Sequence, residues 1–498
     1  MLALLLLAAA PDARPPNVLL ILADDLGYGD VGCYNEAAKV ATPRIDALAA
    51  TGVRFTDAHS PCTVCTPTRY GLLTGQMPFR VPNGGRVFSG AGGPSLIADE
   101  RLTLPEMLRD AGYATACIGK WHLGLTFRDA DGEAIHASGP DAAGRIDFTR
   151  RIEGGPLDHG FDTFFGTACC PTTDWLYCFI EGDRVPTPPA RPLDKSRLPK
   201  HPYANDCRPG RVAPDFDMER VDLQFLERSQ AWLRRHAAES PGRPFFLFHS
   251  TQAVHLPSFP AAEFQGATDA GPHGDFIAEL DFVVGSLLDT LDGLSLRDDT
   301  LVIFTSDNGP EVPTAHYMRR DHGHDGAAPW RGLKRDNWEG GHRVPFLAAW
   351  PRAIEGGSVR DDLVSLTDVT ATLADVLGVD LPGDAAEDGF SLLPTLRGEG
   401  PVGRPYVLFQ GFRGGRSLGL RQGQWKYLNH GGSGGNDYAT HPLLSEYRLD
   451  EPTAEAAEQL YDLAADPGET RNLAAERPEV TRRLRELLAA SVRSGRTE

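Results

Sequence analysis

Four short, unbroken apolar runs punctuate the chain, at residues 18–22, 115–118, 245–248 and 301–305. Runs of this length between polar neighbours predict strands buried on both faces, the condition of a parallel sheet. Helical patterns separate them. Residues 104–111 predict a helix capped by Thr103, with Pro105 in the first turn, where the missing N–H costs nothing. Apolar residues at 276, 277, 280, 283, 284, 287, 288 and 291 follow the i, i+3, i+4 stripe of an amphipathic helix. Strand and helix alternating over this length predict an α/β fold, a mostly parallel sheet with helices on both faces.

The texture changes after residue 400. Short strand candidates at 406–409, 417–420 and 424–428 precede a Gly-rich loop at 431–435 and a helix over 478–490. This predicts a smaller α+β domain with an antiparallel sheet at 401–498, after a catalytic α/β domain at 14–400. Residues 126–160 and 181–217 are rich in Gly, Pro, Asp and Arg without periodicity. They read as long surface excursions of the kind that often carry function.

Composition narrows the class. The chain has 498 residues, 41% hydrophobic and 23% charged, enough for a large core and for two domains. Its formal charge of −19 argues against nucleic acid or an anionic membrane surface as partner. No stretch approaches the ~18 consecutive apolar residues of a membrane span. Residues 1–13 open with an apolar run ending in alanines, the pattern of a signal peptide without its basic start, which predicts a periplasmic or secreted protein, and otherwise a cytoplasmic one. Eight cysteines are too few for a disulfide scaffold.

Each predicted parallel strand runs straight into polar residues suited to chemistry. These are Asp24-Asp25, Gly119-Lys120-Trp121-His122, Ala253-Val254-His255-Leu256-Pro257 and Ser306-Asp307-Asn308-Gly309. Ligands of open α/β sheets bind beyond the carboxyl ends of the strands, so the four groups are expected to share one cleft. Cys65-Thr66-Pro67-Thr68-Arg69, followed by Leu73-Thr74-Gly75, places Cys65 where a loop enters a helix. Such a helix N-terminus favours an anion.

Together these motifs resemble the type I sulfatases. In that family the cysteine of Cys-x-Pro-x-Arg is oxidised to formylglycine, whose hydrate is the nucleophile. Asp-Asp, Gly-Lys-Trp-His, His-x-Pro, Asp-Asn-Gly and a lysine ahead of Trp-Glu-Gly-Gly (Lys334 before Trp338) all occur here in family order. Gln459-Leu460-Tyr461-Asp462-Leu463 also looks family-like. The resemblance implies an alkaline-phosphatase-like fold and a hydrolase of sulfate esters, arylsulfatase-like, acting on a sulfated small molecule or glycan. It also implies a maturase that converts Cys65.

The resemblance further implies that Asp24, Asp25, Asp307 and Asn308 hold one calcium ion, with an oxygen of the modified Cys65 completing the shell. Oxygen donors of this kind suit a hard cation and not zinc. Arg69 and Lys120 would position the nucleophile, and His122 would take the proton when sulfate is released. His255 and Lys334 would contact sulfate and leaving group, with His255 as general acid.

Other readings stand beside this one. Formylglycine-dependent phosphonate and phosphodiester hydrolases share parts of the pattern, and an unconverted Cys65 would leave a silent binder of sulfated glycans. Cys62-Thr63-Val64-Cys65 is also a Cys-x-x-Cys, a redox pair or half a zinc site, but no second such motif exists and the adjacent Cys169-Cys170 has poor metal spacing. A Cys62–Cys65 disulfide would block maturation. His159 reads as structural. His316, His322 and His324 crowd the segment between Asp307 and Lys334; a solvated loop would explain them, but a substrate-binding role is the reading taken here.

Overall fold

The computed structural model describes residues 14–449 and 456–497, so residues 1–13, on which the export expectation rests, lie outside the described residues. The central sheet is built from β1 (Asn17–Ala23), β2 (Val53–Phe55), β3 (Ala114–Lys120), β4 (Thr163–Thr167), β5 (Ile180–Glu181), β6 (Phe245–Ser250), β7 (Thr300–Ser306), β8 (Phe346–Ala349) and β9 (Ser358–Arg360). Its nine strands lie in the order β9-β2-β8-β7-β1-β6-β3-β4-β5. The four apolar runs are its centre. β7, β1, β6 and β3 are neighbours, all parallel, with Leu19 level with Val302 on one side and Leu247 on the other. The short strands at the margins include the antiparallel ones, β8 and β5, which make the sheet mixed.

Every residue of β1, β3, β6 and β7 is buried, so both faces of the sheet are covered. α1 (Pro43–Ala50), α4 (Val221–Glu239) and α5 (Gly271–Gly293) pack together as one layer. α2 (Cys65–Thr74), α3 (Leu104–Asp110) and α7 (Asp368–Leu377) form a second group. α6 (Val312–His322) follows β7. At the start of α3 the Thr103 hydroxyl accepts from Glu106 N–H at 3.3 Å while Glu106 accepts from Thr103 N–H at 2.9 Å, a reciprocal capping box. The amphipathic helix is longer than its stripe, because Pro272 starts it one turn earlier.

Beyond residue 400 lies a small antiparallel sheet of β10 (Val407–Gln410), β11 (Leu418–Gln422), β12 (Trp425–Leu428) and β13 (Gln459–Asp462), in that order. Its two faces follow the period of 2. Leu408, Leu420, Tyr427 and Leu460 pack on Leu484 and Leu488 of α8 (Pro478–Ser494). Val407, Phe409, Leu428 and Tyr461 pack on Trp338 of the main body. Beside Trp338 the fully buried Lys426 ammonium reaches Glu339 at 3.0 Å and Glu469 at 2.8 Å. The acid of Trp-Glu-Gly-Gly is therefore an anchor for the small sheet, not a group of the cleft. Among the described residues no helix is long and apolar enough to cross a membrane.

Candidate active site

The carboxyl ends of the central strands deliver their polar residues to one place. β1 ends at Asp24 and Asp25, β3 at Lys120 and His122, β6 leads to His255, and β7 to Asp307 and Asn308. The backbone is bent to achieve this: Asp25 and His122 have φ of 58° and 60°, values that non-glycine residues seldom adopt and that concentrate at functional sites. Gly309 is required by a close approach, since a Cβ there would lie 1.8 Å from the Gly340 carbonyl oxygen. Asn-Gly and Gly-Gly are thus two halves of one backbone contact.

α2 brings Cys65 and Arg69. Cys65 is its first residue, Pro67 occupies a first-turn position that lacks an N–H partner anyway, and Gly75 closes the helix at φ 66°. A spacing of four puts Cys65 and Arg69 on the same face. Arg69 is fully buried and every N–H it carries has an acceptor. Nε and Nη2 donate to Asp307 Oδ2 at 3.2 and 3.0 Å, and Nη2 also to Asp24 Oδ2 at 3.1 Å. Nη1 donates to the Lys120 carbonyl at 3.0 Å and to Ser250 Oγ at 2.5 Å. Lys120 Nζ is also in contact with Asp24 Oδ2.

Asp25 accepts from Asn308 Nδ2 at 2.7 Å and lies against the Lys334 ammonium, 2.6 Å from Oδ1 and 2.8 Å from Oδ2. Burial pushes the Asp24 carboxyl up, but Lys120, His255 and Arg69 outweigh it and hold Asp24 below its ordinary value. Asp25 and Asp307 go the other way, each raised to about 7 by burial that their cations only partly offset. Asp24 Oδ1 and Asn308 Oδ1 are buried with no hydrogen-bond partner. Orphaned buried oxygens are rare in a folded protein. Two of them among three carboxylates fit a hard cation that takes oxygen ligands, and Asp24, Asp25 and His255 bring ligand atoms within 4.8 Å of one another.

Cys65 opens on a cavity of about 270 Å³ whose lining includes His122, Cys170, His255 and Lys334. The Cys170 thiol stands beside Cys65, 3.9 Å from His122 Nδ1 and 3.7 Å from His255 Nε2. The Cys170 thiol, with Lys120 and His122 beside it, holds the Cys65 thiol well below its ordinary value against the opposing effect of burial. His122 Nε2 donates to the Phe88 carbonyl at 2.8 Å, so Nδ1 is the nitrogen facing the cavity. His255 Nδ1 contacts the Leu256 carbonyl at 2.5 Å, which turns Nε2 inward. Burial, with Lys334 adding, lowers His255 to about 4. A family model described as Sulfatase matches residues 16–379.

The chain belongs to the sulfatase family. The N-acetylgalactosamine-6-O-sulfatase of Bacteroides thetaiotaomicron is 35% identical to it over 512 residues, spanning 96% of this chain and 93% of that protein. Human arylsulfatase A is 36% identical over 509 residues, spanning 98% of this chain and 89% of that protein. A solved Bacteroides thetaiotaomicron structure, described within the metabolism of multiple glycosaminoglycans, matches with a TM-score of 0.81 at 32% identity, over 96% of this chain and 100% of that one. The protein is a sulfatase, an enzyme that hydrolyses sulfate esters, with the alkaline-phosphatase-like architecture of its structural neighbours.

Not every predicted site residue of the sulfatase reaches the cavity. Cys65, Arg69, Lys120, His122, His255, Lys334, Asp24, Asp25, Asp307 and Asn308 converge. His316, His322 and His324, expected to bind substrate, do not line it. His324 is buried with both nitrogens engaged, Nε2 on Asp30 Oδ1 at 2.7 Å and Nδ1 with the Lys39 N–H at 3.0 Å. His316 is 2.9 Å from Glu446, and His322 sits at the end of α6 near Gly271. His159, read as structural, is buried at the Ser95 hydroxyl, 3.0 Å away.

The structure adds residues that the motifs did not single out. Cys170 follows β4, a strand too short to stand out in the apolar pattern, yet it obeys the same rule of lying just beyond a carboxyl end. Glu311 accepts both Arg335 nitrogens, at 2.5 and 2.7 Å, and lies 3.7 Å from Lys334. Cys62 is buried with its thiol pushed up to about 12 by its surroundings, burial first, and it is a free thiol with no disulfide to Cys65.

Proposed function

We propose that this sulfatase releases inorganic sulfate from a sulfated carbohydrate, with a nucleophile formed by conversion of Cys65 to formylglycine and with one calcium ion held by Asp24, Asp25, Asp307 and Asn308. The observation that carries this reading is the pair of orphaned oxygens, Asp24 Oδ1 and Asn308 Oδ1, buried in the same cluster that Arg69 ties to the Cys65 helix. Calcium, when bound, would supply positive charge for the sulfate oxygens. Formylglycine, when present, would supply a geminal diol, one hydroxyl to attack sulfur and one to release it.

The chain's own residues do the rest. The N-terminus of α2 and the Lys334 ammonium hold the sulfate and stabilise the charge that builds on it, while Arg69 and Lys120 position residue 65. His255, with Nδ1 on the Leu256 carbonyl and Nε2 turned into the cavity, delivers a proton at the ester oxygen in its imidazolium form, which the negative charge of a bound sulfate favours. His122, with Nδ1 inward, takes the proton from residue 65 at release. Burial of the cluster excludes water, which strengthens each of these contacts.

The preference for a carbohydrate is supported by relatives named for N-acetylgalactosamine 6-sulfate and by the glycosaminoglycan setting of the similar solved structure. Export by the segment at 1–13 and conversion of Cys65 by a maturase belong to the same reading. A panel of defined sulfated mono- and disaccharides, beside an aryl sulfate and an aryl phosphonate, tests it. Sulfate release from the sugars is expected; turnover of the phosphonate alone would overturn it. N-terminal sequencing of exported protein tests cleavage near residue 13.

A further inference from the structure

The mouth of the cavity is neither uniformly polar nor uniformly basic. Two of the six large apolar side chains exposed among the described residues stand on it, Val87 at 37% and Phe412 at 45% exposure. Phe412 belongs to the small antiparallel sheet's first turn, so that sheet contributes a ring to the site. Two arginines share the rim, and they differ in one decisive respect. Arg335 presents both terminal nitrogens to Glu311 in a bidentate pair, which leaves its charge matched. Arg208 gives only Nη1, to Asp174 Oδ1 at 2.6 Å. Its Nε and Nη2 have no partner among the described residues, and the side chain is 37% exposed.

Arg208 is also held in place. Asp174 is buried, and its second oxygen accepts from the Cys170 N–H at 3.1 Å, so the guanidinium is tied through one carboxylate to the residue beside Cys65. The backbone of Arg208 is pinned on both sides, by its N–H to Thr173 at 3.1 Å and by Tyr177 OH donating to its carbonyl at 2.7 Å. The Trp175 ring lies 5.7 Å beneath the guanidinium. A half-used, pre-positioned fork on a cavity wall is a recognition element for a planar or tetrahedral anion. Asp174 already balances part of the Arg208 charge, Glu311 is taken up by Arg335, and Asp206, exposed on the same rim, is the third acid of the lining; being solvated, it weakens the attraction without cancelling it.

We propose that Arg208 binds a second anionic group of the substrate while Phe412 stacks on the sugar ring, so that this sulfatase prefers a sugar sulfate that carries another negative charge, a carboxylate or a second sulfate, over a neutral sugar monosulfate. This rests on the carbohydrate reading above and specifies it. Neither residue touches the reacting sulfur; both act on binding, and hence on KM.

The experiment compares three esters with the same scissile sulfate: a monosulfated N-acetylhexosamine, that sugar with a second sulfate, and that sugar joined to a uronic acid. Wild-type enzyme should show a KM about tenfold lower for one or both doubly anionic esters, the scale of one charge-assisted hydrogen bond. A response to the disulfate alone assigns a sulfate to Arg208, and to the uronate alone a carboxylate. Arg208→Ala should collapse the ratio of KM values toward one, Arg208→Lys should keep part of it, and added salt should shrink it. Phe412→Ala should raise KM for all three sugars with little change in kcat, and Phe412→Trp should restore it. Equal KM for the three esters in wild type, or an unaltered ratio in Arg208→Ala, would overturn the proposal while leaving the sulfatase reading intact. Failure of all three sugars, with the aryl sulfate turned over, would instead count against the carbohydrate reading.

Discussion

The Arg69 guanidinium holds Asp307 Oδ2 through two of its nitrogens, at 3.2 Å from Nε and 3.0 Å from Nη2. With its bonds to Asp24, Ser250 and the Lys120 carbonyl, one side chain on α2 ties together the ends of β1, β3, β6 and β7. Lysine has no such fork. Arg69→Lys is therefore expected to lower stability and to lower kcat by misplacing Asp307. Arg69→Ala, which leaves the buried Asp307 carboxylate without its cation, should cost about 3–5 kcal/mol or prevent folding. Urea unfolding beside initial rates checks both, and an Arg69→Lys enzyme with wild-type values would show that the fork is dispensable.

Asp307 and Asn308 are expected to be metal ligands. Asp307→Ala should reduce calcium affinity by more than the about 10–100-fold typical of residues that only support a ligand. Titration calorimetry of chelated protein measures this directly, independent of turnover. Unchanged calcium affinity would remove Asp307 from the ligand set.

His255→Ala should slow esters of basic alcohols, such as sugars, more than esters of nitrophenol, because a general acid matters most when the departing oxygen is strongly basic. Rates on a matched pair of esters give the comparison. Equal losses on both would make His255 a binding residue.

Lys426 supplies the positive charge between Glu339 and Glu469. Lys426→Met should destabilise the protein by about 3–5 kcal/mol by stranding the buried Glu469 carboxylate, since Glu339 keeps Arg343 at 2.9 Å. The expected readout is a lowered Tm with the small sheet loosening first in hydrogen exchange. A Tm within a degree of wild type would contradict the anchor.

His249 and His273 are buried and depressed by burial, to about 3 and about 4. The unfolded chain takes up protons at both below about pH 6.5, whereas the folded chain keeps them neutral. Their contribution to stability is therefore complete above about pH 6.5 and is lost as pH falls toward 4 and 3, by up to about 1.4 kcal/mol per pH unit for each. Unfolding free energies at pH 7 and pH 5 should show a smaller fall in His249→Gln than in wild type; parallel falls would exclude His249 as a source.

What the sequence determined by itself was local or periodic. A strand buried on both faces must be apolar throughout, so β1, β3, β6 and β7 were legible as runs, and the rule for carboxyl ends turned their next residues into a site. The spacing of Cys65 and Arg69 is a helical repeat, and Gly75 ends that helix in a conformation glycine favours. The tertiary structure alone decided what depends on distant partners. The marginal strands are too short to carry a pattern. Cys170 became a neighbour of Cys65 only through the pairing of β3 with β4. His324, crowded with other histidines in sequence, was drawn away by Asp30, a residue 294 positions distant. Arg208 and Phe412 entered the cavity from a long excursion and from the small sheet, neither marked by any repeat. Periodicity records which face of an element is buried; it does not record which polar side chain of another element waits there.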